Sequence, residues 1–155
     1  MYHSARNLYR AHLNFGGVLE GAVAGRQLVR AFAYAIKAEA PEEERFFQAL
    51  ANQGFEMKIK ELQTFAGGAK KGDWDVGIAV DAIKLAPKLD VIVIVSGDGD
   101  YAPLLEYLKT MGCRAEVMAF AESASHLIKA AADDFIDISQ NKRAYLKRVP
   151  IRRPR

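Results

Sequence analysis

Two carboxylates stand two residues apart in Ser96-Gly97-Asp98-Gly99-Asp100, directly after the apolar run Val91-Ile92-Val93-Ile94-Val95. Like charges this close repel unless something cationic lies between them. Hard cations such as magnesium or manganese take oxygen ligands and are the usual solution. The intervening glycines let the turn tighten and let a ligand approach the backbone. A plain Asp-Gly turn joining a strand to a helix uses the same residue types, so the pair alone leaves both readings open. Two more carboxylates, Asp75 and Asp81, belong to a segment that is otherwise apolar nearly all round, with Val76, Ile78, Ala79, Val80, Ala82 and Ile83. A carboxylate in such a helix is costly unless it is paired or bound to a cation. Asp75 also suits a helix cap, and Asp73 is read as a cap or a solvent-facing residue. Three or four converging carboxylates would hold one or two metal ions for phosphodiester hydrolysis, activating water and stabilising charge on the phosphate oxygens. Lys70 and Lys71, just upstream, are candidates for contact with a nucleic-acid backbone, against the alternative of ordinary surface lysines.

These residues need elements to hold them. Five branched apolar residues in a row at 91–95 predict a strand covered on both faces, hence a parallel sheet. Ligands of open α/β sheets bind outside the carboxyl ends of the strands, which puts Asp98 and Asp100 at that edge, behind the most buried strand. Upstream, residues 2–13 read as a helix, Asn14-Phe15-Gly16-Gly17 as a break and residues 18–23 as a second short helix. Residues 28–36 are β-compatible. Pro41-Glu42-Glu43-Glu44 starts a helix that Gly54 stops, and residues 55–60 alternate with period two as a strand does. Residues 66–72 read as a flexible basic loop, and residues 75–85 as a helix that Pro87 ends. A helix at 102–111 closed by Gly112, a strand at 114–120, a helix capped near Ser123 or Ser125 and a last strand at 135–138 complete the order. Strand and helix alternate, which gives an α/β fold with an open, mostly parallel, doubly wound sheet and helices on both faces.

The chain has 155 residues, half of them apolar, enough for one domain with a sizeable core. No apolar stretch approaches the ~20 residues of a membrane span, and the first residues lack the apolar core of a secretory signal. The single cysteine, Cys113, reads as a small core residue and excludes an internal disulfide, so a cytoplasmic location is expected. Net charge is +3, but the segment from Lys142 to Arg155 holds seven basic residues and no acidic one. The expected organisation is therefore a domain at 1–141 and a flexible basic tail at 142–155, whose natural partner is a polyanion, nucleic acid first. A solvated tail with no partner is the plainer alternative.

The run from Val91 through Ser96-Gly97-Asp98-Gly99-Asp100-Tyr101-Ala102-Pro103-Leu104 resembles the hallmark of NYN domains, in particular the LabA-like branch of the PIN-like superfamily. Lys71-Gly72-Asp73-Trp74-Asp75, with Asp81 six residues on, is similar to a second family segment. Gly112-Cys113-Arg114-Ala115-Glu116-Val117 and Ala132-Asp133-Asp134-Phe135-Ile136 match later ones. The resemblance covers roughly residues 26–138. It implies a magnesium- or manganese-dependent ribonuclease-like fold acting on RNA. The implied catalytic residues are Asp75, Asp98 and Asp100, with Asp81 joining them as a metal ligand. Ser96, Lys70, Lys71, Arg143, Lys147 and Arg148 are then the nucleic-acid contacts, RNA is the expected partner, and self-association is left open. The family's opening strand, ending in Asp-x-x-Asn, has no counterpart here: Met1 leads straight into helix-like residues, and Ser4 would occupy the Asp position. This leaves a chain whose true start lies upstream, a non-catalytic remnant, or a gap filled by another segment. The alternative function is accordingly a non-catalytic RNA-binding or protein-interaction module on the same fold. A Toprim or phosphotransfer enzyme would want an upstream catalytic glutamate after a strand, and none is obvious. A dinucleotide site would want Gly-x-Gly-x-x-Gly after a strand, which the sequence lacks.

Overall fold

A computed structural model of the protein describes residues 11–64, 66–68, 70, 71 and 73–148. In chain order its elements are β1 (Ala11–Leu13), α1 (Phe15–Val23), β2 (Phe32–Lys37), α2 (Glu43–Asn52), β3 (Glu56–Glu61), β4 (Gln63–Thr64), β5 (Lys70–Lys71), α3 (Asp75–Leu85), β6 (Val91–Ile94), α4 (Ala102–Thr110), β7 (Arg114–Ala119), α5 (His126–Ala131), β8 (Asp134–Asp137), α6 (Lys142–Tyr145) and β9 (Leu146–Arg148). Strands and helices alternate and the longer ladders are parallel, so the α/β class read from the sequence holds. The chain forms two compact units, one built from the chain up to Ala22 and from Ala79 onward, the other from Val23–Ile78.

In the first unit β6, β7 and β8 run parallel in that order. The most buried strand is β7, where Ala115 through Ala119 are all buried. The Val91 run is less covered than expected: Val91, Ile92 and Val93 are half-buried and Val95 is exposed. β7 has a ladder on each side, whereas an unbroken apolar run signals coverage without saying which strand is central. Helix α4 lays Leu104, Leu105 and Leu108 inward and packs on β7 and α5. Cys113 is buried in this unit, and burial pushes its thiol above the ordinary range, as suits a core residue.

A second apolar cluster joins Leu13, Val18, Met118, Phe120 and Ile138, with Tyr145 and Leu146 packed against it. Three sequence expectations change here. Residues 11–13 are a strand rather than the end of a helix, because they pair antiparallel with β9, Leu13 opposite Leu146 and Ala11 opposite Arg148; residues 2–10 lie outside the described residues. The expected break at 14–17 is a helix start, where the Asn14 side chain accepts the Gly17 N–H at 3.3 Å. Gly17 is small for packing, since a Cβ there would collide with the Ala144 carbonyl, and Gly21 likewise faces the Tyr145 ring. Finally, the first seven residues of the segment read as a flexible tail, Lys142 to Arg148, form α6 and β9. Residues 149–155 lie outside the described residues.

In the second unit β2 and β3 pair parallel, Phe32 opposite Glu56 and Lys37 opposite Glu61. The returning helix α2 buries Phe47 and Leu50. β2 starts at Phe32 rather than 28, and Leu28 and Val29 stay exposed. The loop read as flexible is a small hairpin: β4 and β5 pair antiparallel across a turn in which Gly67 and Gly68 take φ of +96° and +82°. Those left-handed conformations favour glycine.

Candidate metal centre

After β6 the chain turns through residues 95–98 into a single 3-10 turn, Gly99–Tyr101. Ser96 Oγ accepts the Asp98 N–H at 3.2 Å, and Asp98 Oδ1 accepts the Asp100 N–H at 2.9 Å. Asp98 thus caps the turn while its own backbone stays extended, at φ −74° and ψ 120°. Tyr101 is buried and anchors the turn, and Asp98 and Asp100 are exposed. The loop leading into α5 clamps it from one side. The Ser125 N–H donates to the Gly97 carbonyl at 2.9 Å. A Cβ on Gly97 would lie 3.0 Å from Ala124 Cα, and one on Gly99 would lie 2.6 Å from Ser125 Oγ. Both glycines are required by this close approach.

Asp75 sits in the first turn of α3. Asp73, not Asp75, takes the capping role, its Oδ1 accepting the Asp75 N–H at 3.2 Å. Trp74 fixes where the helix starts: its Nε1 donates to the Ala35 carbonyl at 2.8 Å, and its ring lies 5.3 Å from that of Tyr34. Helix α3 is continuous, and its residues from Ala79 on belong to the first unit.

Asp98 and Asp100 each offer a carboxylate oxygen within 4.8 Å of the other. Two oxygens on opposite sides of a magnesium ion, each at about 2.1 Å, are roughly 4.2 Å apart. The Asp98 and Asp100 pair is therefore close enough to share one ion with small side-chain adjustments. The donor set is all oxygen, as a hard cation prefers. Asp81 is half-buried on α3. Six residues at 100° each carry it about 240° around the helix from Asp75. The apolar residues of α3 do not all bury: Val76, Val80 and Ile83 are exposed and only Ala82 is buried. Without that cover the desolvation argument for Asp81 loses its premise.

The structure places the remaining candidates as follows. Ser96 belongs to the carboxylate turn itself. Lys70 and Lys71 form β5, opposite Thr64 and Gln63, and their side chains lie outside what is described. Arg143 on α6 and Lys147 and Arg148 on β9 are exposed on one short segment. A third carboxylate at the carboxyl ends of the parallel strands, Asp137, is committed to structure: it accepts the Ala121 N–H at 3.1 Å and the Ser139 N–H and hydroxyl at 3.0 and 2.7 Å. Burial pushes its carboxyl up, but these bonds outweigh that and hold it below the usual carboxylate range. Two features escaped the sequence. One is the clamp from Ala124 and Ser125. The other is a shallow groove of about 680 Å³ beside Asp100, lined by Pro103, Glu106, Leu127 and Ala131. Both depend on α5 lying beside the turn, which no local pattern announces.

The model of the NYN domain family matches residues 1–139, a span that begins well ahead of residue 26, where the sequence resemblance starts. The chain is 24% identical over 119 residues to the low amplitude and bright protein LabA of Synechococcus elongatus, which covers 73% of this chain and 64% of LabA. It thus spans less than two thirds of that relative's length. A solved structure of a protein of unknown function from Vibrio parahaemolyticus is similar with a TM-score of 0.85 and 33% identity, over 94% of this chain and 89% of that one.

Proposed function

This chain belongs to the NYN domain family, and from that premise we propose that it cleaves RNA phosphodiester bonds with the help of magnesium or manganese. The observation that carries the proposal is the pair of carboxylate oxygens that Asp98 and Asp100 hold within 4.8 Å of each other on one turn. With Asp75, these are the proposed metal ligands and catalytic residues. A bound divalent ion would supply an activated water and charge stabilisation at the phosphate. The chain's own residues do the rest. The Asp100 N–H fixes the Asp98 carboxylate at 2.9 Å before any ion arrives, so little reorganisation is needed. Exposure of Asp98 and Asp100 leaves the site open to a long polymer. Lys70, Lys71, Ser96, Arg143, Lys147 and Arg148 are the proposed backbone contacts, and cationic contacts of this kind make binding fall as salt rises. Among the described residues no helix is long and apolar enough to cross a membrane. One buried cysteine fits a reducing compartment, and the cytoplasm is the proposed location.

The test is cleavage of a mixed single-stranded RNA with magnesium or manganese, by the chain and by Asp98→Asn. Cleavage should need the metal, stop with a chelator, and fall roughly a hundredfold or more in the variant, which removes metal-centred stabilisation worth several kcal/mol. RNA binding should persist. Undiminished cleavage by Asp98→Asn would take the acidic turn out of the mechanism. RNA binding with no cleavage by the chain itself would support the non-catalytic module instead.

A further inference from the structure

The second unit carries a row of aromatic rings interleaved with cations. Phe32 and Tyr34 alternate along β2 and so share one face, with ring centroids 6.1 Å apart. Trp74 extends the row, 5.3 Å from Tyr34. Across the ladder, Lys58 lies opposite Tyr34 and Lys60 opposite Ile36, on that same face. Lys58 Nζ stands 5.0 Å from the centre of the Phe32 ring, and Lys60 Nζ 4.4 Å from that of Trp74. Arg30 covers Phe32 at 4.6 Å while its guanidinium holds both Glu56 oxygens, at 2.9 and 2.8 Å. The three rings are half-buried, with part of each accessible.

We propose that this β2–β3 face, with Phe32, Tyr34 and Trp74 as a stacking platform and Lys58 and Lys60 as phosphate contacts, binds single-stranded RNA. A lone cation over a ring is the plain structural role of such pairs. A single strand satisfies both halves at once, offering bases to the rings and phosphates to the ammonium groups. A base stacked on an aromatic ring gains more than an exposed cation over it does. The lysine side chains therefore swing from the rings to the phosphates when a strand arrives. Duplex RNA keeps its bases stacked inside and cannot use the rings. The platform shares its substrate class with the proposed nuclease and rests on that reading only there. It involves no carboxylate, so its binding stands or falls without cleavage.

Trp74 is the single tryptophan of the chain, and its emission reports on the platform directly. The experiment titrates the full chain, in chelator, with a single-stranded RNA oligonucleotide, a duplex of equal length and inorganic polyphosphate. Trp74 emission should be quenched saturably by the single strand and little by the other two. Phe32→Leu should weaken single-strand binding roughly five- to hundredfold. Lys58→Ala with Lys60→Ala should lower the salt slope by roughly one to two. This second variant changes surface lysines and keeps the test valid if Phe32→Leu unfolds. The same quenching should appear in Asp98→Asn, which separates failure of the platform from failure of the nuclease. Equal quenching by polyphosphate or duplex would overturn the proposal. So would single-strand binding, followed by anisotropy, that is unchanged in both folded variants.

Discussion

Asp98 has two jobs, and they can be separated by substitution. One oxygen caps the turn by accepting the Asp100 N–H, and the carboxylate charge is what a cation would need. Asp98→Asn keeps a cap acceptor and loses the charge, whereas Asp98→Ala loses both. In urea denaturation Asp98→Ala should be less stable by about 1 kcal/mol and Asp98→Asn nearly unchanged. Gly99→Ala meets Ser125, whose Oγ is already engaged by the Leu127 N–H at 3.2 Å. Moving Ser125 aside sacrifices that cap, so Gly99→Ala should cost about 1–2 kcal/mol and displace the turn. Asp137 gives the pH dependence. Its folded value is depressed, so the stability it adds is complete above the ordinary carboxylate range and is lost as pH falls through its own lower value. Asp137→Asn should flatten the acid limb of a stability-against-pH curve and be less stable at neutral pH. An unchanged acid limb would show that its bonds to Ala121 and Ser139 contribute nothing net.

At the level of elements, local signals located what local physics controls. The carboxylate-rich start of α2, the span of α3 and the Ser125 cap of α5 all follow from capping and turn chemistry that acts within a few residues. Strand edges were less legible, because a strand ends where its partner does. β2 stops short of Leu28 because its ladder with β3 begins at Phe32 and Glu56. The glycines of α1 carry the same lesson. Gly16-Gly17 has the composition of a break, yet Gly17 serves a helix that must come close to α6. Gly17→Ala drives a methyl into the Ala144 backbone carbonyl, which no rotamer change relieves. It should lower stability by about 1–3 kcal/mol, measured as a shift in urea midpoint with unchanged slope.

For the molecule as a whole, the C-terminal segment changes meaning. Tyr145 and Leu146 pack on the Leu13, Phe120 and Ile138 cluster, and the Asn14 N–H donates to the Tyr145 carbonyl at 2.8 Å. Truncation after Asn141 therefore uncovers core and unpairs β1. It should lower the melting temperature by several degrees and yield aggregating protein. Truncation after Arg148 spares β9 and removes residues 149–155, with Arg152, Arg153 and Arg155 among them. That variant's RNA binding should show a shallower salt dependence than the parent's. Equal melting temperatures for the two truncations would make α6 and β9 dispensable.

The sequence by itself determined the α/β class, the alternation of elements, the family resemblance and the acidic turn after the Val91 run. Each of these is written in neighbouring residues, through periodicity, caps and a compact motif. Tertiary structure decided which strand is buried and which glycines are needed. The start of α3, and with it Asp75, is set by the anchoring of Trp74 on Ala35, and Asp81 lies about 240° further around the same helix. The basic segment after Lys142 showed only its charge in the sequence. That its first half completes the core follows from pairing with residues more than a hundred positions away, which no local pattern encodes.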